Sequence, residues 1–322
     1  MQREGSALSG VGAVFFKEMA DNLTSARMRL LEVLIFVTGV GAVYATIGSV
    51  KEQIGQDPYI FLRVFTLSRA PLPSFVDFLG FLIPIVAIAL GFDSVNSEFN
   101  RRTMSRILAQ PIYRDALLFG KFLSGLATLA VVLAALWLLV TGLGILTLGL
   151  PPSGEEVLRG LAFLVTAIAY GGVWLVLALV FSVIFRSAAT AALASLAIWL
   201  LFAFFWNMIV PIVTQVVAPV DPYDLASVMH TTSVALDINR LSPNILFLET
   251  TRAFLEPSTQ SLNPLLIYIS QIQNAQNAIP GSPLPIGQSM VLVWPQLTGL
   301  VAEVIVLFTV TYILFQRQEV RA

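Results

Sequence analysis

Long stretches with almost no charged residues restrict this chain more than any other feature of its sequence. A helix that crosses about 30 Å of hydrocarbon at about 1.5 Å per residue needs roughly 20 apolar residues. Six stretches approach or exceed that length, at residues 33–50, 78–92, 116–151, 160–185, 187–211 and 295–315. The sequence therefore predicts an all-α polytopic membrane protein with six transmembrane helices.

Composition agrees with this class and excludes several kinds of site. Hydrophobic residues make up 57% of the chain and charged residues only 11%, a balance outside the range of soluble domains. Cysteine is absent, which excludes disulfides, iron–sulfur clusters and thiolate zinc sites. The net charge of −1 creates no field that attracts nucleic acid, so no nucleic-acid partner is expected.

The distribution of lysine and arginine predicts the orientation in the membrane. With the N-terminus inside, 12 of the 18 basic residues lie on the cytoplasmic side and 6 lie outside, as the positive-inside rule requires. Both termini are therefore predicted to be cytoplasmic, in a multi-pass protein of a bacterial or archaeal inner membrane. Residues 1–212 then hold the first five spanning helices, and residues 294–322 hold the sixth helix and a cytoplasmic tail.

The stretch between the fifth and sixth spans, residues 213–293, is too long to be a simple connection. Residues 222–239, 243–256 and 263–277 can each form a helix, and the sequence NAIPGSPLPIG that follows is rich in turn residues. We expect a small helical cap on the extracytoplasmic side. This cap could shield the outer mouth of the protein or bind an extracytoplasmic partner.

The segment that follows the second span carries an unusual concentration of positive charge. If about residues 94–110 form a helix, this helix has a charged face beside an apolar face. The charged face holds Glu98, Arg101, Arg102, Ser105 and Arg106, and the apolar face holds Thr103, Met104, Ile107 and Leu108. Pro111 ends the helix. The arginines could meet lipid phosphates, or the helix could dock in an acidic groove of a cytoplasmic protein.

Two single residues are candidates for a role inside the membrane or outside it. Glu303 lies in the last apolar stretch, about 10 Å inside its expected outer end, and a buried charge there is a candidate for a substrate path or gate. It could equally reach water or an external helix. His230 is the single histidine, and one imidazole beside one thioether does not make a copper site.

Three segments resemble a known family. GFDSVNSEFNRRTMSRILAQPIYRDALLFGKFLSG (91–125), FSVIFRSAATA (181–191) and RLSPNILFLETTRAFLEP (240–257) are similar to the permeases of type 2 ABC exporters, in the branch near the nitrous oxide reductase maturation permease. The resemblance covers nearly the whole chain. It departs at Arg102, where the family usually has glycine.

The resemblance implies a set of partners and contacts. Residues 94–110 would be a coupling helix that seats in an ATPase subunit, Arg186 and Ser187 a second cytoplasmic contact, and the stretch before residue 30 an amphipathic elbow helix. The particle would be a homodimer of this chain with two ATPases, surrounded by lipid. ATP and Mg would be bound in the partner ATPase, with no cofactor and no enzyme activity in this chain. The cargo would be a sulfur species for a periplasmic copper enzyme, delivered through an accessory protein on the cap.

Other functions fit the same residues. The one Gly-Lys pair, Gly120-Lys121, is followed by Phe122 and is not a phosphate-binding loop. An exporter of lipids, glycans, peptides or drugs would share these features, and so would a unit that passes force from an ATPase to an outside partner without transport. An ion-coupled secondary transporter would need paired ionisable residues near the midplane, where only Glu303 qualifies.

Overall fold

The computed structural model describes residues 10–52, 57–69, 73–100, 113–263 and 283–318, and the described chain is dominated by helices. We number the α-helices in chain order: α1 Val11–Thr24, α2 Ala26–Lys51, α3 Arg63–Thr66, α4 Phe75–Gly91, α5 Asn96–Asn100, α6 Arg114–Leu148, α7 Gly154–Ile184, α8 Ala188–Leu200, α9 Trp206–Val217, α10 Leu225–Asn239, α11 Pro243–Leu255 and α12 Ile286–Arg317. A short 3₁₀ turn at Ile60–Leu62 precedes α3, and a π segment at Leu201–Phe205 joins α8 to α9.

Six helical stretches of the described residues are long and apolar enough to cross a membrane. They are α2, α4 with α5, α6, α7, α8 with α9, and α12. The predicted number of spans is therefore confirmed within these ranges. The fifth spanning helix, α8 with α9, continues past Pro211 to Val217. The sixth spanning helix, α12, begins at Ile286, well before Pro295. Both prolines lie inside helices, which spanning helices tolerate because neighbouring groups satisfy the freed carbonyl.

The fourth spanning helix, α7, lies at the centre of the bundle. It packs against α4, α6, α8, α11 and α12. Close approach to α4 depends on Gly91, where a Cβ atom would lie only 2.7 Å from the carbonyl oxygen of Leu175. The side chains of Tyr170 and Trp174, halfway along α7, are each only 1% exposed. The core of the protein therefore surrounds this helix.

The N-terminal helix α1 is separate from the first spanning helix. Ser25 adopts an extended conformation and so separates the two helices. Its hydroxyl caps α2 by accepting a hydrogen bond from the Met28 amide at 3.2 Å. α1 packs along the first turns of α6. A distinct helix therefore lies where the elbow was expected, while its position on the inner leaflet stays a prediction.

The residues expected to form the cap divide into two groups. Two of the predicted helices are present, as α10 and α11, and the third, at 263–277, lies almost wholly outside the described residues. α11 packs along α7 and α12 inside the bundle, whereas α10 packs on α9. Only part of the predicted cap is therefore separate from the spanning helices.

Candidate functional site

A buried lysine connects three helices at the end of the bundle that is predicted to face the cytoplasm. The side chain of Lys121, at the start of α6, is 2% exposed, and its Nζ lies 2.9 Å from Glu18 Oε1 and 3.4 Å from Glu98 Oε1. Glu18 belongs to α1 and Glu98 to α5. We call these three residues the inner cluster.

Local sequence explains why α1 can reach Lys121. The preceding residue is Gly120, and a Cβ atom there would lie 2.6 Å from Val14 Cγ1 and 3.3 Å from the Val11 carbonyl oxygen. The absence of a side chain therefore lets the backbones of α1 and α6 come close. This approach places Glu18 on the lysine.

The charges of the inner cluster depend on one another. Burial by itself would raise the pKa of Glu18, but the nearby ammonium groups of Lys121 and Lys17 outweigh it and hold the pKa below its usual value. A buried charge that loses its partner is strongly destabilising. The ion pairs of Lys121 therefore join α1 and α5 to α6.

The short helix α5, which leads into residues 101–112, is also fixed to α7. The hydroxyl of Ser182 accepts hydrogen bonds from the backbone amides of Val95 and Asn96, at 2.9 and 3.2 Å. The Asn96 side chain in turn donates to the Phe92 carbonyl at 3.1 Å. These bonds hold the turn between α4 and α5, and Glu98 follows directly.

The connection between α7 and α8 touches the same region. Asn100, the last residue of α5, donates a side-chain hydrogen bond to the carbonyl of Arg186 at 2.8 Å. The Arg186 guanidinium lies over the ring of Phe99, 4.3 Å from its centroid. Ser187 caps α8 by accepting from the Thr190 amide at 3.4 Å. The two predicted cytoplasmic contacts, Glu98 and Arg186 with Ser187, therefore lie side by side.

Two further contacts complete this end of the bundle. Arg27, in the first turn of α2, forms an ion pair with Asp93 at 2.8 Å, and both side chains are about one-third exposed, at 36% and 33%. Arg114 donates to the carbonyl of Gln318 at 3.1 Å, and the Gln318 side chain donates to the Val183 carbonyl. The start of α2 and the chain after α12 thus join the same end as α5.

Of the remaining predicted site residues, Glu303 is the one that lies within the described ranges. Arg101, Arg102, Thr103, Met104, Arg106, Ile107 and Leu108 lie outside the described residues. Glu303 lies on α12, about 26 Å along the helix from Ile286, and it is farther from the start of its helix than expected because the helix begins earlier. Its Oε2 atom is buried and makes no hydrogen bond to the described residues.

Sequence reasoning missed the partners that organise the site. Lys121 stood out as a charge at the start of an apolar stretch, but nothing in the sequence paired it with Glu18, which is 103 positions earlier. The sequence pattern does not single out Ser182, because serine is common near the ends of spanning helices. Among the described residues, the ion pairs of Lys121 and the hydrogen bonds of Ser182 join α5 to α1, α6 and α7.

Comparison with known proteins identifies the family. Residues 13–320 match the model of the ABC-2 family transporter proteins. The chain belongs to this ABC-2 family. Two relatives of this ABC-2 chain are each described as a probable ABC transporter permease protein NosY, one from Stutzerimonas stutzeri and one from Pseudomonas aeruginosa.

These relatives are distant and match only part of the chain. The Stutzerimonas stutzeri protein is 26% identical over 199 residues, and the Pseudomonas aeruginosa protein is 28% identical over 196 residues. In both comparisons the match spans 60% of this chain and 66% of the relative. The chain is therefore an ABC-2 family transporter protein with six candidate spanning helices among its described residues, and the particular activity of these relatives does not transfer by similarity alone.

Proposed function

We propose that this permease works as a homodimer with two separate ATPase subunits, in the cytoplasmic membrane, and moves a cargo with the energy of ATP hydrolysed by those subunits. The observation that supports this is the inner cluster. Its ion pairs tie the chain that leads into residues 101–112 to α1 and α6, and the neighbouring hydrogen bonds of Ser182 tie it to α7. An ATPase that pushes on residues 94–110 would move three helices at once.

The docking step is tested by reversing charge. Replacing Arg101, Arg102 and Arg106 together by glutamate should abolish co-purification with the ATPase while membrane insertion persists, because an acidic groove would repel the altered helix. The matched control is Arg29→Glu, an exposed arginine of α2 that is predicted to be on the same side of the membrane. Equal co-purification of the triple variant and the wild type would contradict electrostatic docking.

For the cargo, we propose a sulfur species supplied to a periplasmic copper enzyme, with an accessory protein that binds on the outer side. Support comes from the NosY names of the two relatives and from the resemblance of residues 91–125, 181–191 and 240–257. Glu303 is the candidate residue of the path or gate, since one oxygen of its carboxyl group is buried without a partner.

Force transmission without transport is a second candidate, and one observation favours it. α7 carries Ser182 at its inner end and the fully buried Arg159 at its outer end, about 34 Å apart along one helix. A helix fixed at both ends can pass movement across the membrane. Reconstituted vesicles separate the two functions, because ATP turnover without sulfur uptake would support transmission and overturn the proposed cargo.

A further inference from the structure

The fifth spanning helix is interrupted near its middle by the π segment Leu201–Phe205. π turns are rare, occur mostly as single turns inside α-helices and are frequent at functional sites. They also account for many sharp helix bends, since the regular hydrogen-bond ladder is broken there. The segment therefore marks a point where α8 and α9 can change their relative direction.

The two halves of this helix have different neighbours. α8 packs against α7 and α4, whereas α10 is the one described helix that packs extensively against α9. Side chains of Met208, Ile212 and Val216 are 65%, 66% and 80% exposed. α10 itself has no buried residue. The outer half of the helix is thus separated from the bundle.

α9 and α10 form one hairpin, residues 206–239. At its base the indole N–H of Trp206 donates to the Asn239 carbonyl at 3.2 Å. Nearer its tip the Thr231 hydroxyl donates to the Ala218 carbonyl at 3.1 Å. Because bonds join the two helices at both places, the hairpin can move as a unit.

The chain enters and leaves the hairpin at the same end. It enters through the π segment and leaves through the turn 240–242. The Trp206–Asn239 hydrogen bond holds these two segments together. In the turn, the Ser242 hydroxyl is buried and makes no hydrogen bond to any residue that the structure describes. Arg240 pairs with Glu249 of α11 at 2.9 Å, with 31% of the arginine side chain exposed, and such partly exposed pairs are weak.

The helices beside the hairpin are held rigidly by Arg159. Its side chain is 0% exposed. Its guanidinium donates to Glu155 at 2.9 Å, to the Phe254 carbonyl at 3.1 Å, to the Ser289 hydroxyl at 3.2 Å and to the Leu284 carbonyl. α7, the end of α11 and the start of α12 are thereby joined. The positive charge also suits the carbonyl end of α11.

We propose that the hairpin 206–239 is the outer gate of the permease. It swings as one body about the π segment and the turn 240–242, against a frame of α7, α11 and α12 fixed by Arg159. This gate rests on the proposed function, which supplies the ATP-driven movement at the inner end. Movement passes outward along α7 to the frame. The hairpin then moves relative to the frame, because the π segment and the turn 240–242, both at one end of the hairpin, are its covalent links to the rest of the chain.

The absence of cysteine allows a direct distance measurement. Spin labels are placed on the hairpin at Tyr223→Cys, where the tyrosine is 99% exposed, and beside the frame at the exposed Ser258→Cys, in the turn that follows α11. The control pair joins Ser258→Cys to Leu158→Cys on α7, where the leucine is 54% exposed. Labelled chains are diluted with unlabelled copies in the complex with the ATPase, so that distances within one chain dominate.

Distances are compared without nucleotide and with a non-hydrolysable ATP analogue. The hairpin-to-frame distance should shift by more than about 2 Å, while the frame-to-frame distance stays constant. A constant hairpin-to-frame distance in a complex that hydrolyses ATP would overturn the gate and leave the permease function intact. Failure of any ATPase to bind would instead contradict the proposed function.

A deletion tests the π segment itself. Removing Ala203 should restore a continuous α-helix from α8 to α9, because a π turn accommodates one extra residue. The deletion should abolish the nucleotide-dependent shift while co-purification with the ATPase persists, and Ala203→Ser is the control that keeps the residue count. A wild-type shift in the assembled deletion variant would contradict the hinge. If the deletion prevents assembly, the label measurement on the undeleted chain still decides the proposal.

Discussion

Lys121 and Arg159 are both buried cations of spanning helices, but they hold their surroundings in different ways. Lys121 meets two carboxylates, Glu18 and Glu98, from other helices. Arg159 meets one carboxylate, Glu155 of its own helix, and its other donors bond to backbone carbonyls and a hydroxyl. An ammonium is a compact charge with freely rotating donors, whereas the guanidinium is a planar fork with fixed directions.

The comparison suggests that the end of the bundle at Lys121 and the end at Arg159 have different mechanical roles. The inner cluster is held by charge on charge, so its partners can shift while the attraction persists. The outer cation is held by the directions of its hydrogen bonds, so its neighbours must keep their places. We infer that the inner cluster keeps its helices together when they move and that the outer frame keeps its own geometry.

The largest effect should come from Arg159→Met. The substitution leaves the Phe254 and Leu284 carbonyls without their donor, at a cost of about 1–3 kcal/mol for each buried group, and it leaves the Glu155 carboxylate, which is 35% exposed, without its cation. We expect a marked loss of thermal stability of the purified protein. Arg252→Met, at an exposed arginine of α11, is the matched control and should change stability little. A stable Arg159→Met variant would contradict the rigid outer frame.

A smaller effect is expected for Lys121→Met. The substitution removes the buried ammonium shared by Glu18 and Glu98, while the exposed Lys17 still pairs with Glu18. We expect a loss of about 2–3 kcal/mol, moderated because 16% and 14% of the two glutamate side chains are exposed. Adding Glu18→Gln and Glu98→Gln should recover part of the loss. Arg29→Met, at an exposed arginine of α2 outside the inner cluster, is the control. No recovery would mean that the lysine stabilises by packing alone.

The smallest effect is a dependence on pH. Because the pKa of Glu18 lies below its usual value of 4.5 in the folded protein, its ion pairs contribute stability that is fully present above that value. This stability is lost as the pH falls through the folded pKa. The difference in melting temperature between wild type and Glu18→Gln should therefore be largest at neutral pH and shrink in acid. A difference that stays constant well below pH 4.5 would contradict the ionised pair.

The predictable part of the fold follows from chain length and hydrophobicity. Apolar stretches of sufficient length identify the spanning helices, since a helix satisfies its backbone groups within one segment in lipid. Helix ends were less accurate. The predicted fifth span ended at about Pro211 and the sixth began at about Pro295, yet both prolines lie inside helices, α9 and α12.

The candidate site was predictable in part. Glu98 and Arg186 were chosen from charge and from the family resemblance, and the structure places them at one end of the bundle. Their roles in docking stay predictions, as do those of Arg101, Arg102 and Arg106, which lie outside the described residues. Lys121, Ser182 and Arg159 act through partners far away in sequence, which no local pattern shows.

The sequence by itself determined that this protein is helical, crosses a membrane six times and carries a basic segment after its second span. Hydrophobic length and charge are local properties, so they can be read along the chain. The tertiary structure alone decided which charges meet, how α11 enters the bundle and where the fifth helix can bend. Those features depend on contacts between residues about 50 to 130 positions apart, and such contacts arise only when the helices pack.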